Sequence, residues 1–221
     1  EVVDRNPSGS VRTIRIAGIV DGKPEELIVT AVEFRAALSL RSTTFEITTT
    51  PRFSDVQTDH LFAGEILGLH ELGVTVGCTA MNFCPDQDVT RAEMAAFLVR
   101  ALDLTMTGEE DPFRDDDGHD LEVQIAVLHA NGITAGCSIL RYCPEQGVTR
   151  AEMAAFLVRA FNLPPVEGAN QFTDVEDHFF SSEIAVLGAS GITTGCTATK
   201  FCPDRLLTRA EMAAFLVRAL A

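Results

Sequence analysis

Apolar residues along most of this chain return in a helical rhythm, and the rhythm occurs three times. Phe62, Ile66 and Leu69 lie at i, i+4 and i+7, as do Leu121, Ile125 and Leu128, and again Phe180, Ile184 and Leu187. Each trio predicts one buried stripe on a short helix. Gly73, Gly132 and Gly191 then fit the left-handed position that ends such a helix. A second helix follows each time. Its start is written as a capping box, with Thr90 reaching the Glu93 amide and Glu93 reaching back, while Val89 and Met94 supply a hydrophobic staple. Met94, Phe97, Leu98 and Ala101 are predicted to face the core.

The second helix makes the repetition plain. Thr90-Arg91-Ala92-Glu93-Met94-Ala95-Ala96-Phe97-Leu98-Val99-Arg100-Ala101 recurs unchanged from Thr149 and from Thr208, a period of 59 residues. Upstream, each copy has Phe-x-Asp (Phe53/Asp55, Phe113/Asp115, Phe172/Asp174) and then a histidine (His60, His119, His178). Between the helices come a second glycine (Gly77, Gly136, Gly195) and a loop bounded by two cysteines. One such helix-loop-helix unit cannot bury its apolar face alone. The expected fold is therefore mainly α, with three repeats at 53–103, 111–163 and 170–221 packed as a pseudo-threefold helical bundle.

Residues 1–52 read differently, as a short α+β segment. Strands are predicted at 11–16 and 26–30 across an Asp21-Gly22 turn, with a short helix from Thr30 through Leu38 and a Thr-rich strand from Thr43 to Thr50. Charge draws the same boundary. Seven basic and seven acidic residues balance within 1–52, so residues 53–221 carry the whole net charge of -15. An acidic surface repels nucleic acid and anionic lipid, and neither is an expected partner. No apolar run approaches the ~20 residues that cross a bilayer. Starting at Glu1, the chain is expected to be a mature or excised piece of a longer precursor.

Six cysteines fall as Cys78/Cys84, Cys137/Cys143 and Cys196/Cys202, always six apart. An identical pair within each repeat favours three local disulfides over zinc, which usually takes closer spacing and a second pair or histidines. Disulfides place the chain outside the cytoplasm. Closing so small a ring contributes about 2 kcal/mol on the loop-entropy account, which makes each one a local staple.

The motifs Phe-x-Asp-Val, Gly-Ile/Val-x-x-Gly-Cys, Phe/Tyr-Cys-Pro-Asp/Glu and Thr-Arg-Ala-Glu-Met-Ala-Ala-Phe-Leu together resemble the S-layer homology family, in a paired-Cys variant. The resemblance covers 53–221. It implies a three-pronged helical domain that binds secondary cell-wall polymers, often through ketal-pyruvate groups, in grooves between repeats. Where that family often has a tryptophan after the histidine, this chain has Leu61, Asp120 and Phe179. The run from Val11 to Gly18, with Glu33 to Thr43, resembles the carboxyl end of the SpoIID/LytB family, whose members act on peptidoglycan or stimulate enzymes that do. Only the tail of that domain is expected here, and Glu33 is explained as a helix cap.

Arg91, Arg150 and Arg209 stand out because a cation in the first turn of a helix opposes the dipole by about 0.3–1 kcal/mol. Two compensations suggest themselves. Each arginine could join free helix amides in cradling a carboxylate or phosphate, or it could pair with a loop acid such as Asp86, Glu145 or Asp204. The resemblance favours the ligand reading, and Arg→Ala changes are expected to leave the capped fold nearly intact. Glu93, Glu152 and Glu211 read as capping-box members, and Asp55, Asp115 and Asp174 as turn caps. The three histidines lack further metal ligands at suitable spacing, and Asp115-Asp116-Asp117-Gly118 lacks the downstream glutamate of an EF-hand loop. No cofactor or metal is expected.

The leading functional expectation is a non-catalytic module on the bacterial cell wall or surface that binds an acidic, pyruvylated secondary cell-wall polysaccharide, its expected partner being that polymer or a peptidoglycan-linked glycan. Two alternatives stay open. The chain could be the carboxyl-terminal part of a peptidoglycan-acting SpoIID/LytB-type enzyme or amidase activator, or a self-associating surface-layer or filament subunit.

Overall fold

The structure, a computed structural model, describes the backbone of three strands within residues 2–30 and, in full, residues 53–108, 112–168 and 170–221. The chain divides into two compact units, Glu1–Thr50 and Pro51–Ala221. In the first, β1 (Val2–Arg5), β2 (Val11–Val20) and β3 (Lys23–Thr30) form an antiparallel sheet in that order. The β2–β3 register runs from Thr13 opposite Thr30 to Val20 opposite Lys23. These strands are longer than the predicted ones, because ladder pairing carries through Gly18 and Pro24. β1 had no counterpart in the sequence reading. The predicted helix through Leu38 and the strand from Thr43 lie outside the described residues.

The second unit is helical. It contains α1 (Ala63–Glu71), α2 (Arg91–Ala101), α3 (Glu122–Ala130), α4 (Arg150–Ala160), α5 (Ser181–Ala189) and α6 (Arg209–Leu220). The capping boxes at Thr90, Thr149 and Thr208 are all formed, with each threonine side chain accepting from the glutamate amide and each glutamate accepting from the threonine amide. Gly73, Gly132 and Gly191 follow the first helices at φ of 71°, 71° and 72°, as the sequence predicted. Ile66, Leu69 and their counterparts are fully buried, while Phe62, Leu121 and Phe180 at the helix starts are half-buried.

The helices pair across repeats. α2 packs on α3, α4 on α5, and α1 closes the circle against α6. The sequence predicts that the three repeats pack together but not which helices pair, and the pairing has a local cause. At the start of α2, the Arg91 and Ala92 amides donate to the carbonyls of Gln146 and Pro144 in the next repeat's loop, at 2.9 and 3.0 Å. α4 and α6 do the same, on Arg205 and Pro203 and on Gln87 and Pro85. Anchoring a helix start on the neighbour's loop lays that helix beside the neighbour's first helix.

At the centre, three backbone bonds run in a ring. The Val89 amide donates to Leu207, Leu207 to Val148 and Val148 to Val89, at 2.9, 2.9 and 2.8 Å. All three side chains are fully buried. Each staple residue predicted to pin its own helix therefore also joins the three repeats about the pseudo-threefold axis.

Gly136 and its counterparts hold the cysteine loops closed. A Cβ at Gly136, at φ of 84°, would lie 2.4 Å from the Arg141 carbonyl oxygen and 2.6 Å from the Phe113 ring, whereas one at Gly132 would meet nothing within 4 Å. Both substitutions carry the left-handed backbone cost, but only the first also forces backbone apart. Gly136→Ala is expected to cost more than about 3 kcal/mol and Gly132→Ala only about 1–2 kcal/mol, measured by denaturant unfolding of the full chain.

Candidate site in the grooves between repeats

The chemistry of each repeat gathers around the arginine at the first position of its second helix. Arg91, Arg150 and Arg209 are almost fully buried, with 4%, 3% and 2% of their surface exposed. Arg91 donates from Nε to the Tyr142 carbonyl at 2.8 Å and from Nη1 to Glu152 Oε1 at 3.4 Å. Arg150 repeats this on Phe201 and Glu211, and Arg209 on Phe83 and Glu93. Each guanidinium also lies against two aromatic rings. Arg91 sits 5.0 Å from the centre of Tyr142 and 5.5 Å from Phe156, and Arg150 and Arg209 have Phe201/Phe215 and Phe83/Phe97 at similar distances.

These contacts correct two details of the sequence reading. The helix amides are not free to hold an anion, because the first two serve the neighbouring loop and the third serves the capping threonine. Nor is the ionic partner one of the loop acids Asp86, Glu145 or Asp204. It is the capping-box glutamate of the next repeat, which uses Oε2 for its own helix start and Oε1 for the arriving arginine. At Glu211 a second arginine, Arg205, joins the same oxygen. Burial pulls the Arg150 and Arg209 guanidinium groups below their ordinary pKa, and the charges of Glu211 and Glu93 pull them back up.

Around these residues the repeats leave grooves. One cavity of about 360 Å³ is lined by Arg91 of the first repeat, by Gly136, Glu152 and Arg159 of the second, and by Phe179 and Phe180 of the third. Another, of about 270 Å³, combines Arg150 with Gly195, Glu211 and Arg218 of the third repeat and Leu61 and Phe62 of the first. Every repeat contributes to each. Leu61 and Phe179 stand exposed at these rims. Asp120, also exposed, holds the equivalent place beside Glu93, where His119 and Glu145 complete an acidic cavity wall.

The other singled-out residues support the walls. Asp55 accepts from the Phe83 and Cys84 amides at 2.8 and 2.7 Å, and Asp115 and Asp174 do the same for their own loops. The second cysteine of each pair sits at φ of 59°, so this clamp holds a left-handed turn in a residue with a side chain. The sulfurs are joined as Cys78–Cys84, Cys137–Cys143 and Cys196–Cys202. Asp55 and Asp115 approach the paired sulfurs closely enough to suggest metal ligation, but the sulfurs are bonded to each other and the carboxylates accept amides. His60, His119 and His178 each accept, through Nδ1, the amide two residues on, at 3.2, 3.0 and 3.1 Å, which fixes the start of the first helix.

The sequence missed Arg159 and Arg218 as groove residues. The available signal was their recurrence, with Arg100, one position before the end of each repeated motif.

Comparison with known proteins gives this geometry a family context. Residues 52–95 and 171–213 match the S-layer homology domain. The chain is 33% identical over 75% of its length to an S-layer protein of Bacillus thuringiensis subsp. finitimus, covering 21% of that protein. It is 33% identical over 73% of its length to an endoglucanase of Bacillus sp. (strain KSM-635), covering 18%, and 28% identical over 58% to the cellulosome-anchoring protein of Acetivibrio thermocellus, covering 30%. The chain thus spans about a fifth to a third of these relatives.

Two predictions follow from the contacts. Removing one buried arginine leaves a carbonyl and a carboxylate without their partner at a repeat boundary. Arg209→Ala is expected to lower stability by about 2–4 kcal/mol, not to leave the fold untouched, and Arg209→Lys is expected to recover only part, as read by denaturant unfolding.

The second concerns acid. Burial tends to raise the Asp115 and Asp174 pKa, but the two amides on each carboxylate outweigh it, helped by Arg141 and Lys200, and both titrate below the ordinary value of 3.8. A lowered folded pKa contributes stability that is complete above the unfolded value and disappears as pH falls through the folded one. Asp174→Asn should therefore be less stable than the unmodified protein at pH 7, with the gap closing below about pH 4.

Proposed function

We propose that this chain, with its S-layer homology domains, is a non-catalytic module that anchors a protein at the bacterial cell wall by binding an acidic, pyruvylated wall polysaccharide between its repeats. The observation that carries this reading is the construction of the grooves. Two of them place a buried arginine, an exposed arginine and an apolar rim residue from three repeats around one opening. Sugars are held by such mixed walls, with polar groups fixing hydroxyls and acids while apolar side chains cover ring faces.

The relatives support a tether. They include an S-layer protein, an endoglucanase and a cellulosome-anchoring protein, each similar to this chain over less than a third of its own length. A module common to different cargoes is suited to holding them in one place. Among the described residues, no helix is long and apolar enough to cross a membrane.

The protein's charge of -15 sets a condition on that ligand. Long-range repulsion from a polyanion must be overcome by local contacts within the groove, and salt should weaken the repulsion over a Debye length of ~8 Å. Binding to purified wall polymer, followed by co-sedimentation, should therefore persist or strengthen as salt rises from about 10 to 150 mM. It should fall at least about tenfold when the pyruvyl groups are removed. Equal retention on walls stripped of secondary polymer would exclude this ligand class.

A further inference from the structure

The buried arginines explain why the grooves exist, but not what charge a ligand meets inside them. Arg91 is already engaged by the Tyr142 carbonyl and balanced by Glu152. Arg159 lines the same cavity from the last turn of α4 and is exposed. Its polar contact among the described residues is a long 3.5 Å bond to the Ile133 carbonyl, and no described carboxylate lies within ion-pairing distance of it. A cation in the last turn is favoured by the helix dipole, which accounts for a basic residue at this position but not for its opening into a cavity.

The three repeats differ here despite their identical second-helix motif. Arg218, the counterpart of Arg159 in the Arg150 groove, is tied to Glu65 at 3.5 Å, and the rim residue there is Leu61. Arg100 is the third counterpart, and the rim position beside Glu93 is the carboxylate Asp120, which would repel an acid. At the rim position after the histidine, the Arg159 cavity has the aromatic Phe179 where the others have Leu61 and Asp120. Phe179 is 87% exposed, and its ring stands edge-on to Phe180 at 4.9 Å and 82°. A large apolar ring left in water and a guanidinium with no described carboxylate partner, both lining one cavity, present one surface for the face of a sugar ring and one for its carboxylate.

We infer that the groove bounded by Arg91, Arg159 and Phe179 is the principal glycan site of the three, and that Arg159 is the residue that contacts the ligand's acid group. Arg91 is then a positioning residue that holds Glu152 and the Tyr142 loop in place. This rests on the glycan reading proposed above, and it adds which groove is used and which side chain meets the charge.

The test is calorimetric titration of the full chain with purified pyruvylated wall polymer and with the same polymer after pyruvyl removal. Arg159→Ala should weaken binding to the pyruvylated polymer by roughly ten- to a hundredfold. Its melting temperature should stay that of the unmodified protein, and its affinity for the de-pyruvylated polymer should equal that of the unmodified protein. Arg159→Lys should recover part of the loss. Phe179→Ala should lose roughly three- to tenfold on both polymers, and Arg218→Ala less than about threefold on either. Unchanged binding by Arg159→Ala, or an equal loss by Arg218→Ala, overturns the assignment while leaving wall anchoring intact. If the unmodified protein ignores both polymers, the anchoring reading fails and takes this inference with it.

Discussion

The interaction on which the rest of this structure depends is the passage of a buried arginine from each repeat into the next. Arg91 reaches Glu152, Arg150 reaches Glu211 and Arg209 reaches Glu93, so the three ion pairs form a closed circuit with no terminal repeat left over. A guanidinium taken out of water needs its donors satisfied and its charge opposed, or its burial would destabilise the fold by several kcal/mol. The neighbour supplies all of this at once: a loop carbonyl, a carboxylate and two aromatic faces. That demand makes the repeats interdependent in a way that apolar burial alone would not, because burial is indifferent to direction and the guanidinium fork is not.

Several features become intelligible once the arginine is taken as the fixed point. The carbonyl it uses belongs to the residue just before the second cysteine of the next loop, so that loop must present its backbone in one conformation. The aspartate clamp, the disulfide and the second glycine all act on that same short stretch. Tyr142, which stands where the other repeats have phenylalanine, adds a hydroxyl bond back to the Arg91 carbonyl at 2.7 Å, and burial pushes its own pKa up. The capping glutamate then links the circuit to helix start, since one carboxylate serves both.

The same arrangement produces the grooves. Because each second helix is anchored on its neighbour's loop, the chain leading into the first helix of another repeat is carried to the rim, and three repeats meet around the Arg91 and Arg150 openings. Among the three repeats the rim residues Leu61, Asp120 and Phe179 differ in chemistry, whereas the arginine and glutamate that close the ring are the same and the loop aromatic is phenylalanine or tyrosine. A scaffold of this kind can keep its architecture while its three openings take on different chemistry.

The sequence alone determined the local structure of residues 53–221: the helix starts through Thr90/Glu93 and its copies, the helix ends at Gly73, Gly132 and Gly191, the buried stripes and the three cysteine pairs. These features depend on residues within a turn or two of one another, so spacing encodes them. It also marked Arg91, Arg150 and Arg209 as needing compensation, because a cation at a helix start is locally unfavourable. What compensates them lies 61 or 116 residues away, and a repeat of identical motifs gives no sign of whether a side chain turns to its own unit or to the next. Only the tertiary structure decided that the helices pair across repeats, that the first amides serve a neighbouring loop, and that Arg159 and Phe179 share a cavity. Those outcomes depend on which loop a helix start meets in space, and one-dimensional spacing carries no information about that.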